Sequence, residues 1–468
     1  MFENFTRARD DNHDRVIDLA TRQKTPKAEP GGDLPKAPEP APEDTKLAEW
    51  LELKSGLHSA LLERLNLSVI DKVERAELRR EVAQVVTQNL ASRGMPLAGE
   101  DFNRLVDELL DEILGFGPLE PLLADPGITD ILVNGHRTVY VERAGRLQPA
   151  PIRFRDERHL LRVIDKIVSR MGRRIDESQP WVDARLEDGS RVNAIIRPCA
   201  IDGPSLSIRK FSAKPYTLDR LVENGALSRE AGDLLRALVA ARFNILISGG
   251  TGSGKTTMLN AMSAFIEGHE RIVTIEDAAE LQLQQAHVVR LETRPPSPNG
   301  TGSVVQRDLV RNALRMRPDR IIVGEVRGTE TFDMLQAMNT GHDGSMTTVH
   351  ANSARDALGR IEQMVSMTGI DFPVAAMRAQ IASGLHFVVH LSRLSDGTRK
   401  VMSISEITGM EGDIVTMQDI FLFRKTGRAD SGEVLGHFTP TGIRPKCMEQ
   451  LIASGTALDN DIFRVPRS

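Results

Sequence analysis

The segment Gly249–Thr257, with the sequence GGTGSGKTT, constrains the fold of this 468-residue chain more than any other stretch. It follows an apolar, strand-like run, Phe243–Ser248, and leads into a helix-like run that includes Leu259. Strand, glycine loop and helix are the context in which a GxxxxGK[ST] motif binds phosphate. The glycines let successive backbone N–H groups turn toward phosphate oxygens, and the helix N-terminus adds its positive dipole end. The segment therefore predicts a site for a nucleoside triphosphate.

Two side chains of this loop have predicted roles in binding the nucleotide and its metal ion. Lys255 is positioned to reach the β- and γ-phosphates of ATP, and the Thr256 hydroxyl is positioned to bind Mg²⁺. The alternative is a glycine-rich turn with a chance lysine, and the strand–loop–helix context argues against it. The predicted nucleotide-binding residues are Gly249, Gly250, Thr251, Gly252, Ser253, Gly254, Lys255, Thr256 and Thr257.

Composition excludes several other classes of function. The net charge of −5 gives no global attraction to nucleic acid or to anionic lipid. The two cysteines, Cys199 and Cys447, are far apart and predict neither a disulfide framework nor a zinc site, so we expect small, inert side chains in a reducing cytoplasm. There is no apolar run of about eighteen residues and no signal-peptide core, so we expect a cytoplasmic protein that reaches a membrane only through partners.

Four segments differ in composition and hydrophobic period, and each predicts one structural unit. Residues 1–46 are charged and proline-rich, which predicts a disordered tail. Residues 47–123 have helical apolar periods, which predict a three-helix bundle. Residues 124–215 alternate short strands with one helix, which predicts a mixed α/β domain. Residues 216–468 alternate strands and helices, which predicts a mainly parallel sheet covered by helices and an α/β fold class.

The helical segment and the C-terminal part of the last segment carry no catalytic motif. The helical segment 47–123 is equally consistent with a partner-binding module and with a packing domain. The C-terminal region Gly384–Ser468 contains strand-like runs such as Phe387–His390, and we expect it to form a sheet edge and a contact between subunits.

Two apolar strands end in carboxylates. In Arg320–Glu325 (RIIVGE) the usual pattern has Asp where this chain has Gly324, so Glu325 is the only acid there and is predicted to contact Mg²⁺ through water or to polarise the attacking water. In Arg271–Asp277 (RIVTIED), Glu276 is a second candidate for positioning that water. Such acids lie at the carboxyl edge of a parallel sheet, where ligands bind. Which of the two glutamates activates water stays open.

Two histidines follow in a glycine- and hydroxyl-rich segment, GHDGSMTTVHAN. Either His342 or His350 could donate a hydrogen bond to a γ-phosphate oxygen and respond to hydrolysis. The alternative for each is a structural role.

Arginines in two regions are candidates for different functions. Arg191 and Arg209 lie on predicted strands before the nucleotide segment and could supply the positive charge that chemistry at a γ-phosphate requires, although strand arginines are commonly solvated. A second group could line the pore of a nucleic-acid motor, or more simply pair with acids and brace subunit contacts. It consists of Arg311, Arg315, Arg317 and Arg320.

Together the motifs resemble those of ATPases of the type II/type IV secretion superfamily, and more narrowly those of the Tad/Flp pilus assembly (CpaF-like) ATPases. The resemblance extends from Leu47 into the C-terminal region. GGTGSGKTT, TIEDAAEL, RMRPDRIIVGEVRG and GHDGSMTTVHAN correspond in order to the family's Walker A, Asp box, Walker B and His box. The narrower resemblance rests on the helical N-terminal segment and on the VNG and VYVERAGRL stretches. The tetracysteine insertion of many pilus-extension ATPases has no counterpart here.

The resemblance implies a RecA-like nucleotide domain preceded by a PAS-like mixed α/β domain and a small helical bundle. It also implies a homo-hexameric ring with each ATP site between domains. Arg191 and Arg209 match the family's arginines that approach the γ-phosphate. The active enzyme would hydrolyse ATP with Mg²⁺, lie in the cytoplasm and reach the inner membrane through platform proteins.

The function implied is a motor that powers assembly of a Tad/Flp-type pilus, with retraction left open. The alternatives are a type IV secretion or conjugation ATPase, a nucleic-acid translocating motor, and a scaffold that binds ATP without appreciable turnover. The first alternative shares the chemistry and differs only in cargo.

Overall fold

The computed structural model describes residues 42–64, 74–143, 145–211, 216–294, 296, 301–456 and 458–465. The chain divides into two compact units after Leu53, and in the first unit the described part is the beginning of helix α1 (Pro42–Arg64). This helix begins before the expected end of the tail at residue 46, and the rest of that tail lies outside the described residues. All the features below belong to the second unit.

Helical structure precedes the first sheet, as the apolar periods predict. Leu78, Val82 and Val86, spaced four residues apart, are buried on α2, and Leu105 and Leu109 are buried on α3. The two helices pack against each other, and a 3-10 turn separates α3 from α4. Their bounds are α2 (Arg75–Arg93), α3 (Gly99–Leu114) and α4 (Glu120–Ala124).

The first sheet has six antiparallel strands in the order β3-β2-β1-β6-β5-β4. Alternate residues of β1, such as Ile131 and Val133, point into a core, which is the period-2 pattern of a half-buried strand. Helix α5 adds Leu160, Ile164 and Ile167 to the same core. The elements are β1 (Ile128–Asn134), β2 (Thr138–Arg143), β3 (Arg146–Pro149), α5 (Glu157–Arg170), β4 (Trp181–Arg185), β5 (Arg191–Ile195) and β6 (Ser205–Arg209).

The second sheet has nine strands in the order β15-β14-β13-β12-β7-β11-β10-β8-β9. The elements on the way to and through its parallel part are α6 (Leu218–Glu223), α7 (Arg229–Ala240), β7 (Ile245–Gly249), α8 (Lys255–Ser263), β8 (Ile272–Glu276), β9 (Val288–Glu292), α9 (Gln306–Ala313), β10 (Arg320–Val323), α10 (Glu330–Asn339), β11 (Met346–Val349), α11 (Ala354–Ser366) and α12 (Val374–Gly384). The C-terminal elements are β12 (Phe387–Arg393), β13 (Arg399–Glu411), β14 (Ile414–Arg428), β15 (Val434–Pro440) and α13 (Met448–Ala453).

The predicted α/β class is confirmed, and the parallel arrangement holds from β12 to β9. Strands β7, β8, β10 and β11 are buried along their whole length because helices cover both faces of the sheet. The parallel order puts the carboxyl ends of these strands at one edge of the sheet. The chain segments that follow β7, β10 and β11 are therefore neighbours.

The C-terminal region forms a sheet edge, as expected, because β15 is the last strand on one side of the sheet, but one of its strands has an unexpected place. Strand β12, which contains Phe387–His390, is not at a sheet edge but lies between β7 and β13, in the middle of the sheet. Strands β13, β14 and β15 then extend the sheet with antiparallel pairing. The continuous apolar run of β12 is the pattern of a buried central strand, which explains its place.

Of the two roles considered for the basic cluster, pairing with acids holds for Arg320, and pore lining does not. This side chain is fully buried, and its Nε and Nη2 atoms donate to both carboxylate oxygens of Glu270 at 2.7 and 2.8 Å. The Nε atom of Arg311 lies 4.0 Å from Oδ1 of Asp333. A buried charge is retained only when it is paired and hydrogen-bonded, and Arg320 meets both conditions.

The two cysteines have different surroundings. Cys447 is buried, as expected for an inert side chain, and its burial raises the pKa of its thiol. Cys199 is exposed, so it does not pack in a core.

None of the helices in the described part of the chain is long and apolar enough to cross a membrane.

Candidate nucleotide-binding site

The glycine loop follows strand β7 and ends where helix α8 begins at Lys255. Gly252 and Gly254 have φ angles of 68° and 97°, which favour glycine. A Cβ atom on Gly249 would lie 2.4 Å from the carbonyl oxygen of Leu391 in β12, so only glycine fits at this close approach. This strand–loop–helix geometry is the one that phosphate binding requires.

Lys255 is held inside the site rather than in solvent. Only 8% of the residue is exposed, and its ammonium donates to the carbonyl oxygen of Gly250 at 3.1 Å. The Lys255 Nζ atom also lies 3.3 Å from Nε2 of His350. Burial lowers the pKa of Lys255, and the nearby carboxylate of Glu325 opposes that shift. A phosphate in the loop would supply a further negative charge next to this ammonium.

Glu325 follows strand β10 and points toward the same place. Its Oε2 atom accepts from Nε and Nη2 of Arg327 at 3.1 and 2.5 Å, and its Oε1 atom lies 2.8 Å from Nε2 of His350. Burial lowers the pKa of His350, although the charge of Glu325 acts in the opposite direction. Strand β11, which carries His350 beyond its end, lies between β7 and β10. The sheet order therefore brings Lys255, Glu325 and His350 together.

The neighbouring Gly324 explains why this chain lacks the usual Asp. A Cβ atom on Gly324 would lie 2.8 Å from Cγ of Glu276, on the adjacent strand β8. The Glu276 side chain occupies the space that an aspartate at position 324 would need.

Glu276 is buried, with 3% of the residue exposed. Its Oε2 atom accepts from the backbone N–H groups of Glu280 and Leu281 at 2.7 and 3.0 Å. Its Oε1 atom has no hydrogen-bond partner among the described residues. Burial raises the pKa of Glu276 to about 7, against the two backbone hydrogen bonds. In this arrangement Glu276 fixes the loop that carries Glu280.

This raised pKa makes a prediction for the variant Glu276→Gln. A carboxyl whose folded pKa is about 7 instead of 4.5 stabilises the fold while it is protonated, and that stabilisation is lost as pH rises toward 7. Glutamine keeps an oxygen acceptor for the loop and does not titrate. Between pH 4.5 and about pH 7, the unfolding free energy of the variant should therefore increase relative to that of wild type, by up to about 3 kcal/mol. Urea unfolding at several pH values measures it, and parallel pH profiles would contradict the burial of an ionisable Glu276.

Arg191 and Arg209 line a pocket beside the start of α8, together with Thr256 and Thr257. Arg191 Nη1 donates to Glu280 Oε1 at 3.1 Å. Arg209 Nε donates to Asp130 Oδ1 at 3.1 Å. The first sheet thus presents both arginines toward the glycine loop, each held by a carboxylate.

The structure does not bring His342 to this site. It precedes strand β11, whereas His350 follows it, so the two histidines lie at opposite ends of one strand. The His342 backbone N–H and side chain both contact the carbonyl oxygen of Ala337 at 3.3 Å, and its own carbonyl accepts from the Ser345 hydroxyl. In this chain His342 closes the turn between α10 and β11.

Two arginines at the site, Arg327 and Arg399, are not among those predicted from the sequence. Arg327 pairs with Glu325 and lies 3.5 Å from Asp277. Its position two residues after Glu325 in the sequence could have indicated that it lies at the site. Arg399 donates from Nε to the carbonyl oxygen of Gly252 at 2.9 Å. No local pattern marks Arg399, because it is distant in sequence and reaches the loop only through the order of the strands.

The residues around the loop fit a Mg²⁺ ion shared with a triphosphate. In the described part of the chain, no group of three or more His, Cys, Asp or Glu side chains could hold a metal alone. The Thr256 hydroxyl and the Glu325 carboxylate are oxygen donors of the kind that Mg²⁺ prefers alongside phosphate. The Ser253 hydroxyl oxygen is buried in the loop without a partner among the described residues, which is consistent with a polar ligand there.

Comparisons with known proteins show the family to which this chain belongs. A family model described as "Type II/IV secretion system protein" matches residues 112–434. A Mycobacterium tuberculosis protein provisionally named for conjugal transfer is 41% identical over 312 residues, which cover 65% of this chain and 88% of that protein. The conjugal transfer protein TrbB of Rhizobium radiobacter is 32% identical, over 66% of this chain and 91% of that protein.

Among solved structures, the VirB11 ATPase of the Brucella suis type IV secretion system is similar at 30% sequence identity. The match covers 61% of this chain and 94% of that one, with a TM-score of 0.34.

Proposed function

This chain belongs to the type II/IV secretion system protein family, and we propose that it hydrolyses ATP as the motor of a secretion or pilus-assembly machine. The observation that carries the proposal is the meeting of Lys255, Glu325 and His350 at the carboxyl edge of the parallel sheet. A phosphate-binding lysine beside a strand-end carboxylate is the arrangement that phosphoryl transfer to water requires.

In the proposed site, some residues bind the nucleotide and others take part in hydrolysis. The glycine loop and Lys255 bind the phosphates of ATP, and Glu325 orients the attacking water and accepts its proton. Arg327 holds the Glu325 carboxylate in place by two hydrogen bonds. Thr256 would hold Mg²⁺ directly and Glu325 would contact it through a water molecule; the ion when bound neutralises charge on the phosphate oxygens. Arg191 and Arg209 bring positive charge from the first sheet toward the γ-phosphate.

We propose a homo-hexameric ring, as the family resemblance implies. Because Arg191 and Arg209 belong to one sheet and the glycine loop to another, loss of the γ-phosphate would remove contacts between the two. Release of those contacts would let the first sheet turn relative to the nucleotide sheet, and this movement would drive an inner-membrane platform. ATP turnover per subunit that rises steeply with protein concentration supports a ring, and turnover independent of concentration argues for a self-sufficient monomer.

The proposed cargo has two candidates. The narrower sequence resemblance favours a Tad/Flp-type pilus. The names of the relatives favour conjugal transfer or type IV secretion as the second candidate. Deleting the gene in its host and scoring both surface pili and DNA transfer to a recipient separates the two. A nucleic-acid translocating motor would instead show DNA-stimulated turnover.

Phosphate release from ATP by the purified full chain tests the proposed activity. We expect release with Mg²⁺ present and its loss when a chelator removes the metal. A chain that binds ATP but releases no phosphate would be a nucleotide-gated scaffold, which contradicts the proposal.

A further inference from the structure

One arginine contacts both the glycine loop and the first sheet. Arg399 begins strand β13, and its Nε atom donates to the carbonyl oxygen of Gly252 at 2.9 Å. Its Nη2 atom lies 3.6 Å from Oε1 of Glu142, on strand β2. A guanidinium is planar and donates in fixed directions, so the two contacts fix the distance between the loop and β2.

The turn that carries Arg399 is itself held against the first sheet. The Arg393 guanidinium donates to the carbonyl oxygen of Gly145, just before β3. A Cβ atom on Gly145 would lie 3.2 Å from the carbonyl oxygen of Gly397, so the two backbones approach closely here. Asp396 accepts from the Thr398 backbone at 2.9 Å and from the Val434 backbone at 2.8 Å, which ties the turn to β15.

Glu142 connects this contact with one of the arginines of the proposed site. Asp130 on β1 pairs in register with Glu142 on one side and with Arg209 on the other. Asp130 accepts the hydrogen bond of Arg209, and Glu142 is also close enough to stabilise the charge of Arg209. The Glu142 side chain is only 16% exposed, so solvent screens these charges less than it would at the surface.

We propose that Arg399 is a positioning residue, which holds the first sheet against the glycine loop and thereby sets the position of Arg209 for ATP hydrolysis. The inference rests on the proposed ATPase function. An exposed ion pair alone contributes little to stability, but a displacement of about 1 Å at a catalytic group can cost 10²-fold in rate. The effect of Arg399 is therefore expected in turnover, with little change in ATP binding.

The test compares steady-state kinetics of the full chain carrying Arg399→Ala, Arg399→Lys or Glu142→Gln. We expect Arg399→Ala to lower kcat by about 10- to 100-fold, with KM for ATP nearly unchanged. Lysine keeps the charge but cannot make both contacts, so Arg399→Lys should fall between alanine and wild type. Arg464→Ala is the matched control, because Arg464 forms an exposed ion pair with Asp461, and it should leave kcat unchanged.

If Arg399→Ala fails to fold, the variant Glu142→Gln still tests the positioning role. It leaves the contact between Arg399 and Gly252 intact, removes the negative charge that faces Arg399 and Arg209, and should lower kcat in the same direction. The loss of kcat in the double variant Arg399→Ala/Glu142→Gln should be smaller than the product of the two single losses, because both changes remove the contact between Arg399 and Glu142.

The outcomes separate this inference from the function on which it rests. Wild type that turns over ATP while Arg399→Ala and Glu142→Gln both keep its kcat would overturn the positioning role alone. Equal losses in kcat and in ATP binding would also overturn it, since they indicate a damaged loop. A wild type without turnover would overturn the proposed function and this inference with it.

Discussion

Replacing Lys255 with alanine is expected to lower ATP turnover by about 10³-fold or more, since the site loses its buried positive charge at the phosphates. Lys255 is the residue that the loop, the sheet order and the neighbouring Glu325 all place at the centre of the site. Its ammonium would stabilise charge that grows on the phosphate oxygens during the reaction. Phosphate release at saturating ATP measures the loss, and nucleotide binding should weaken as well.

The control for this variant is Lys425→Ala, which removes an exposed lysine from strand β14. It should retain wild-type turnover. If Lys255→Ala also retains it while remaining folded by circular dichroism, phosphate transfer does not occur at this loop and the site is wrongly assigned.

The variant Glu325→Gln is expected to bind ATP with nearly wild-type affinity and to hydrolyse it about 10²- to 10⁴-fold more slowly. Glutamine has almost the same shape and keeps an oxygen that can accept from Arg327, so the local structure should persist. It cannot accept the proton of the attacking water, which is the role proposed for Glu325. Binding of a fluorescent ATP analogue and phosphate release measure the two quantities separately.

Glu433→Gln, a change at an exposed glutamate between β14 and β15, is the matched control for Glu325→Gln. Full turnover in Glu325→Gln would shift the role of the base to Glu276. A parallel loss of binding would instead indicate that Glu325 mainly holds the metal or the loop.

The sequence predicts those parts of the site that depend on local patterns. The strand–loop–helix of the glycine loop and the acid that follows β10 are read from consecutive residues, and both are found where expected. The superfamily predicted from the order of the motifs is confirmed by the family match over residues 112–434. The narrower Tad/Flp resemblance stays a prediction.

The parts that the sequence did not predict depend on contacts between distant segments. A strand pattern cannot show that β12 inserts beside β7, and with it the approach of Arg399 to Gly252 was missed. The spacing of His342 and His350 suggests two similar histidines, but the strand between them separates their positions. A basic residue type likewise does not show that Arg320 is buried against Glu270.

The most direct test of the account is the amount of phosphate released per chain at saturating ATP and Mg²⁺. The account predicts many turnovers per chain, lost on chelation of the metal and restored when Mg²⁺ is added back. One equivalent of tightly bound ATP that stays intact, in a folded chain, would contradict it and identify the protein as a nucleotide-binding scaffold.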